Sequence, residues 1–108
     1  MIQVFENLID NAVKYMGDQK DPVVSIEHQE QNKMNEFRVI DNGSGMNQSA
    51  LDGLFVPFER FNEKVEGTGL GLYMIQKIVE SHDGKITAMS EGINKGSTFI
   101  VSLPETGN

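Results

Sequence analysis

Apolar residues recur at steps of three and four from Ile2 to Met16, at Phe5, Leu8, Ile9, Ala12, Val13 and Met16. That spacing predicts an amphipathic helix with one buried face. Gly17, with Pro22 a few residues on, ends it. A second helical run, Leu72 to His82, is expected to bury Leu72, Ile75, Ile78 and Val79 and to stop at Asp83-Gly84, where glycine can take the left-handed closing conformation. Four runs suit strands: Val23 to Gln29, Phe37 to Ile40, Lys85 to Ser90 and Thr98 to Leu103. A polar turn around Gln31-Asn32-Lys33 makes the first two a hairpin, and Glu91 to Gly96 joins the last two. Gln48 to Leu54 reads as a short helix that Pro57 stops.

Polar positions carry the chemistry. Asn7, Asn11 and Lys14 fall at i, i+4 and i+7 on the face opposite the apolar one, so they line up along two turns. A solvated face is the plain alternative. Such a face usually carries Glu, Lys or Arg, whereas asparagine is a poor helix former, and two stacked asparagines point to a task. At Gly67-Thr68-Gly69-Leu70-Gly71-Leu72 glycines crowd the mouth of the second long helix. Unpaired N–H groups there carry partial positive charge, and glycines admit an anion close to the backbone. A sharp bend is the bland reading. The spacing is neither that of a Walker loop, whose Lys is missing, nor that of a dinucleotide fingerprint, which directly follows an apolar strand. Asp41, ending a strand ahead of Asn42-Gly43-Ser44-Gly45-Met46, is either a turn former or a carboxylate held at a sheet edge to accept hydrogen bonds. Phe55, Phe58 and Phe61 cluster in seven residues, enough to plug a core beneath a long loop.

Composition narrows the class. The 108 residues make one domain. The absence of cysteine excludes disulfides and thiolate metal sites. A net charge of −7 speaks against a nucleic-acid binder, so a polyanionic ligand would need a divalent cation. No membrane span or signal sequence is present, and a cytoplasmic setting fits. The first helix begins without a capping residue ahead of it, as expected of a fragment of a longer protein. His28 in a strand and His82 at a helix end have no ligand or acceptor pattern around them and are expected at the surface.

Together, five segments in fixed order resemble the ATP-binding catalytic domain of sensor histidine kinases, of the gyrase, Hsp90, histidine kinase and MutL superfamily. Asn7 to Tyr15 is similar to the N box, Asp41 to Gly45 to the first glycine box, and Phe55 to Phe61 to the F box. Gly67 to Leu72 is similar to the second glycine box and Gly96 to Phe99 to the last glycine-threonine element. The resemblance implies the Bergerat fold, a two-layer α/β sandwich with a mixed, mostly antiparallel sheet, helices on one face and a mobile ATP lid from about Asn47 to Glu66. It implies ATP and Mg²⁺ as cofactors. Asn7 and Asn11 would hold the metal and phosphates and serve catalysis with Lys14, and Tyr15 would lie near phosphate or ribose. Asp41 would receive the adenine amino group with help from Ser97 or Thr98. Gly43, Gly45, Met46, Phe55 and Phe58 would complete the nucleotide site, and Gly67, Thr68, Gly69, Leu70, Gly71 and Leu72 would form its phosphate-side hinge.

The implied activity is a protein histidine kinase in two-component signal transduction. Members that hydrolyse ATP carry Glu at the first N-box position. Asn7 cannot act as a base, and Glu6 lies about 100° round the helix, so transfer is favoured over hydrolysis. No His-Glu or His-Asp acceptor motif occurs, and the strand that usually precedes the N box is missing. The expected partners are therefore a dimerisation and phosphoacceptor domain of the parent, itself a homodimer, and indirectly a response regulator. No contact with nucleic acid or membrane is expected. The alternatives are a serine-phosphorylating anti-sigma-factor kinase and a nucleotide-binding module without catalysis.

Overall fold

The computed structural model describes residues 2–56 and 71–105. Within them the order is α1 (Ile2–Lys14), β1 (Val24–Gln31), β2 (Met34–Asp41), α2 (Gln48–Gly53), α3 (Gly71–Ser81), β3 (Lys85–Met89) and β4 (Ser97–Pro104). The strands lie in the order β1-β2-β4-β3. Every pairing among the described residues is antiparallel, so the parallel component of the expected mixed sheet is not found among them.

The hairpin strands run further than the apolar pattern suggests. Asn32 and Lys33 close the turn in two residues, with φ of 52° and 63°. Positive φ at both is the primed turn whose twist matches that of the strands, and it lets Gln31 pair opposite Met34. From there the register carries Val24 opposite Asp41.

Side chains alternate across a strand, and the register therefore places Val39, Phe99, Val101 and Ile86 on one face. Val4 and Leu8 of α1 and Ile75 and Val79 of α3 pack against them. Six of these side chains, Val4, Leu8, Val39, Ile75, Val79 and Val101, are at most 1% exposed. Each buried aliphatic of this size contributes about 1.5–3 kcal/mol, enough to hold the helices on the sheet.

The buried stripe of α1 is narrower than the sequence pattern. Its centre line is Val4, Leu8 and Ala12, at four-residue steps, with Phe5 and Ile9 half-buried beside it. Val13, expected inside, is 62% exposed because it sits about 100° beyond Ala12. At the end of α3 the left-handed residue is Asp83 (φ 60°) rather than Gly84. Gly84 N–H reaches back to the Val79 carbonyl at 3.0 Å, and a Cβ on Gly84 would lie 2.6 Å from the Ser102 carbonyl oxygen. Glycine there serves close packing. His28 and His82 are exposed as expected. The His28 ring stacks on Phe37 at 4.6 Å, and His82 Nδ1 lies 3.1 Å from the Ile78 carbonyl oxygen at the helix end.

Candidate functional site

The C-terminal end of α1, the turn after β2 and the loop between β3 and β4 meet at one end of the sheet. Asp41, the last residue of β2, pairs opposite Ser97, the first of β4. Its Oδ1 accepts the Gly43 N–H at 2.9 Å, a local turn that short acidic side chains favour. Burial raises the Asp41 carboxyl above the ordinary aspartate value, and the N–H groups of Gly43 and Ser97 pull it partly back.

Hydrogen bonds fix this turn from two sides. On one side the Tyr15 carbonyl accepts both the N–H (3.0 Å) and the hydroxyl (2.7 Å) of Ser44. Gly43 lies so close beneath that a Cβ there would stand 2.7 Å from the same carbonyl oxygen. Asn42 secures the connection from α1 to β1: its Nδ2 donates to the Asp21 carbonyl and its Oδ1 accepts from the Val23 N–H, each at 2.8 Å. Asn42→Ala is expected to lower stability by about 1–2 kcal/mol, because both bonds are exposed and each contributes modestly. Asn42→Asp, which keeps only the acceptor, is expected to fall between. Urea denaturation at constant m-value measures both.

On the other side, Ser90 Oγ donates to the Gly96 carbonyl (2.7 Å) and accepts from Met46 N–H (3.0 Å) and Gly92 N–H (3.2 Å). Asn94 N–H donates to the Ser44 carbonyl (2.7 Å) and Gly96 N–H to the Gly43 carbonyl (3.2 Å). Backbone meets backbone here. Gly45 (φ 67°) and Gly96 (φ 74°) both occupy the left-handed region, and a Cβ on either would collide with a carbonyl oxygen, that of Gly92 or of Asp41 respectively.

These ties frame a cavity of about 370 Å³, within the range of small-molecule sites. Asn11 and Ala12 of α1, with Tyr15 just past its end, form one wall. Asp41, Ser44, Gly45 and Met46 form the floor, with Ser97 and Phe99 from β4. Ser49 and Ala50 of α2 and its flanking residues Asn47 and Leu54 supply another part of the lining, and Asn47 caps the helix by accepting the Ala50 N–H at 2.9 Å. Leu72 at the start of α3 and Ile93 complete the lining.

Of the residues singled out in the sequence, Asn11, Tyr15, Asp41, Gly45, Met46, Leu72 and Ser97 converge on this cavity. Asn7, one turn before Asn11 on α1, and Lys14, at its end, are exposed and do not line it. Gly43 lies under the floor against Tyr15. Phe55 packs on the core instead of lining the cavity, and Thr98 pairs between Ile40 and Met89. Gly71 opens α3. Phe58, Gly67, Thr68, Gly69 and Leu70 lie outside the described residues, as does the lid beyond Val56. The cavity also takes in Ala12, Ser44 and Phe99 from the family-like boxes and Asn47, Ser49, Ala50 and Leu54 from the expected lid, none of them named individually as a site residue, and Ile93, which lies outside every such segment. Asn47 three residues before Ala50 is a capping signal that could have drawn attention to α2; nothing in the sequence marks Ile93.

A family model described as histidine kinase-, DNA gyrase B-, and HSP90-like ATPase matches residues 1–107. The phytochrome-like protein Cph1 of Synechocystis is 41% identical over 106 residues, covering 96% of this chain and 14% of that protein. The sensor histidine kinase ZraS of Escherichia coli is 39% identical over 104 residues, covering 96% of this chain and 21% of that protein. The chain thus spans about a seventh of the one and about a fifth of the other. Among solved structures, the catalytic domain of histidine kinase ThkA superposes with a TM-score of 0.79 at 29% identity, covering 95% of this chain and 64% of that one. A mycobacterial sensor histidine kinase, MprB, superposes at 0.80 with 22% identity, covering 94% and 69%, and shares the fold. With family, relatives and fold in agreement, this chain belongs to the histidine kinase-, DNA gyrase B- and HSP90-like ATPase family, in the form found in sensor histidine kinases.

Proposed function

We propose that this domain binds ATP with Mg²⁺ and holds the γ-phosphoryl group for transfer to a histidine carried by the dimerisation and phosphoacceptor domain of a longer, cytoplasmic or membrane-anchored sensor kinase. From there the phosphoryl group would pass to a response regulator. The supporting observation is the lining of the cavity. A half-buried carboxylate, Asp41, stands at the sheet end beside Ser97, and Asn11 of α1 and Leu72 at the start of α3 line the same cavity.

Asp41 would accept the adenine amino hydrogens while Gly43 and Ser97 N–H groups orient it. Tyr15 would cover the ring or ribose, and Asn11 would contact phosphate oxygens, with Asn7 one turn beyond and Lys14 offering its charge from the helix end. The asparagine amides are neutral oxygen donors, which suit Mg²⁺ when phosphates provide the negative charge. Among the described residues no group of three His, Cys, Asp or Glu could hold a metal by itself. When bound, Mg²⁺ would neutralise charge developing on the phosphates. Asn7 offers no base, and Glu6 is exposed round the helix from it, so the chain's own residues favour keeping water inactive until a protein nucleophile arrives. No described helix is long and apolar enough to cross a membrane.

Calorimetry with ATP, with and without EDTA, tests the site. Affinity is expected to drop on chelation, and binding indifferent to EDTA would remove Asn7 and Asn11 from a metal role. With labelled ATP the isolated chain is expected to stay unlabelled and an added kinase dimerisation helix pair to gain acid-labile label. Label on His28 or His82 would overturn the transfer scheme.

A further inference from the structure

We propose that Ile93 is a base-contacting residue of the nucleotide site, forming an apolar wall against the face of the bound base. This rests on the nucleotide reading of the cavity. Ile93 is the lone apolar residue in the run Glu91 to Gly96, and its side chain is 58% exposed. It takes no part in the core cluster, yet it lines the cavity. Its loop is not free to fold it away. Ser90 Oγ binds the loop at Gly92 and Gly96, and the Ser44 carbonyl holds Asn94 directly after Ile93. Gly92 (φ 132°) and Asn94 (φ 64°) on either side take backbone shapes most residues avoid, and asparagine is among the few that tolerate the second. A constrained loop therefore holds a greasy side chain in the open at the cavity mouth.

The location selects the base over the phosphates. The loop runs into Ser97, which pairs with Asp41, whereas Asn11 and Leu72 reach the cavity from α1 and the start of α3. A purine has polar edges and apolar faces. With its edge on Asp41, its faces need cover, and most other apolar lining residues are already engaged: Phe99 is only 6% exposed, while Met46, Leu54 and Leu72 pack on the core. Tyr15 (39% exposed) and Ile93 are the large apolar lining side chains that keep substantial free surface. Covering such surface favours binding through the area removed from water.

The test is calorimetry of the wild-type chain, Ile93→Ser and Ile93→Val with Mg-ATP and with Mg-ADP, alongside melting temperatures. Ile93→Ser is expected to weaken both nucleotides by the same factor, about five- to tenfold. Ile93→Val is expected to stay within about twofold of wild type, and both variants to melt within about 2 °C of it, since an exposed side chain carries little stability. Unchanged affinity in Ile93→Ser, with wild type binding normally, would overturn this inference and leave the nucleotide site standing. So would a loss larger for ATP than for ADP, which would point to the phosphate end, or a loss matched by a fall in melting temperature. Failure of wild type to bind either nucleotide would instead overturn the site reading itself.

Discussion

Asp41→Asn will bind ATP about tenfold or more weaker than wild type while remaining folded, and its preference for ATP over GTP will narrow. In the proposed binding mode the carboxylate accepts from the adenine amino group, a charge-assisted bond of about 1.5–3 kcal/mol. Guanine presents a carbonyl oxygen at that edge, so two acceptors would face each other, and wild type should prefer ATP by at least about tenfold. The fold should tolerate asparagine, whose Oδ1 can still accept the Gly43 N–H. It also removes a charge whose burial is unfavourable. Burial raises the folded-state pKa of Asp41, so relative to low pH its contribution to stability is lost as pH rises through that value, and no such loss applies to asparagine. Binding runs the opposite way. ATP affinity of wild type should fall as pH drops through the raised pKa, because the protonated group loses its charge and part of its acceptor capacity, and the variant should lack this acid limb. Competitive titration of both nucleotides across pH at fixed Mg²⁺ measures all of this. Equal loss of ATP and GTP affinity would make Asp41 a structural residue, and unchanged affinity for both would move the base elsewhere.

Gly96→Ala should be the most destabilising small substitution in the site, lowering stability by about 3 kcal/mol or more and the melting temperature by more than about 10 °C. The new methyl group meets the Asp41 carbonyl oxygen, a backbone atom within β2 that cannot move without breaking the register with Ser97. The backbone is also left-handed there, which costs a residue with a Cβ about 1–2 kcal/mol. Gly92→Ala supplies the internal control. Its φ of 132° is equally unsuited to alanine, but a Cβ there meets nothing within 4 Å. It should cost only the conformational part. Thermal melts of the two variants separate collision from backbone preference, and equal shifts would remove the packed-loop explanation.

The elements were legible because their signals are local and repeated. The three- and four-residue period of α1 and α3 survives any tertiary context, and the hairpin announces itself by a polar turn between alternating runs. Ends were less legible. β1 and β2 extend to the turn because Asn32 and Lys33 accept positive φ, which no apolar pattern encodes. Val13 satisfied the helical period but fell past the edge of a stripe whose width is set by the sheet beneath. In the site, Asp41 and Asn11 stood out by residue type in an unexpected place, whereas Tyr15 entered only through the family resemblance. Ser90 and Ile93 did neither. A serine bridging Met46 and Gly96 is one of many serines until the two loops are seen in contact, and an isoleucine in a loop looks like any surface residue.

The strand order has a consequence for how the protein is made. β4 is the last strand among the described residues but lies between β2 and β3, and it provides Ser97 opposite Asp41 and Phe99 and Val101 to the core. A nascent chain on the ribosome that has exposed everything up to Lys95 holds Asn11, Tyr15 and Asp41, yet β2 lacks one neighbour and β3 has no partner among the described strands. Contacts between residues so far apart in sequence close late, after long loops have been drawn in. Nucleotide capture should therefore begin only once β4 has cleared the exit tunnel, and until then the apolar faces of β2 and α1 remain work for chaperones.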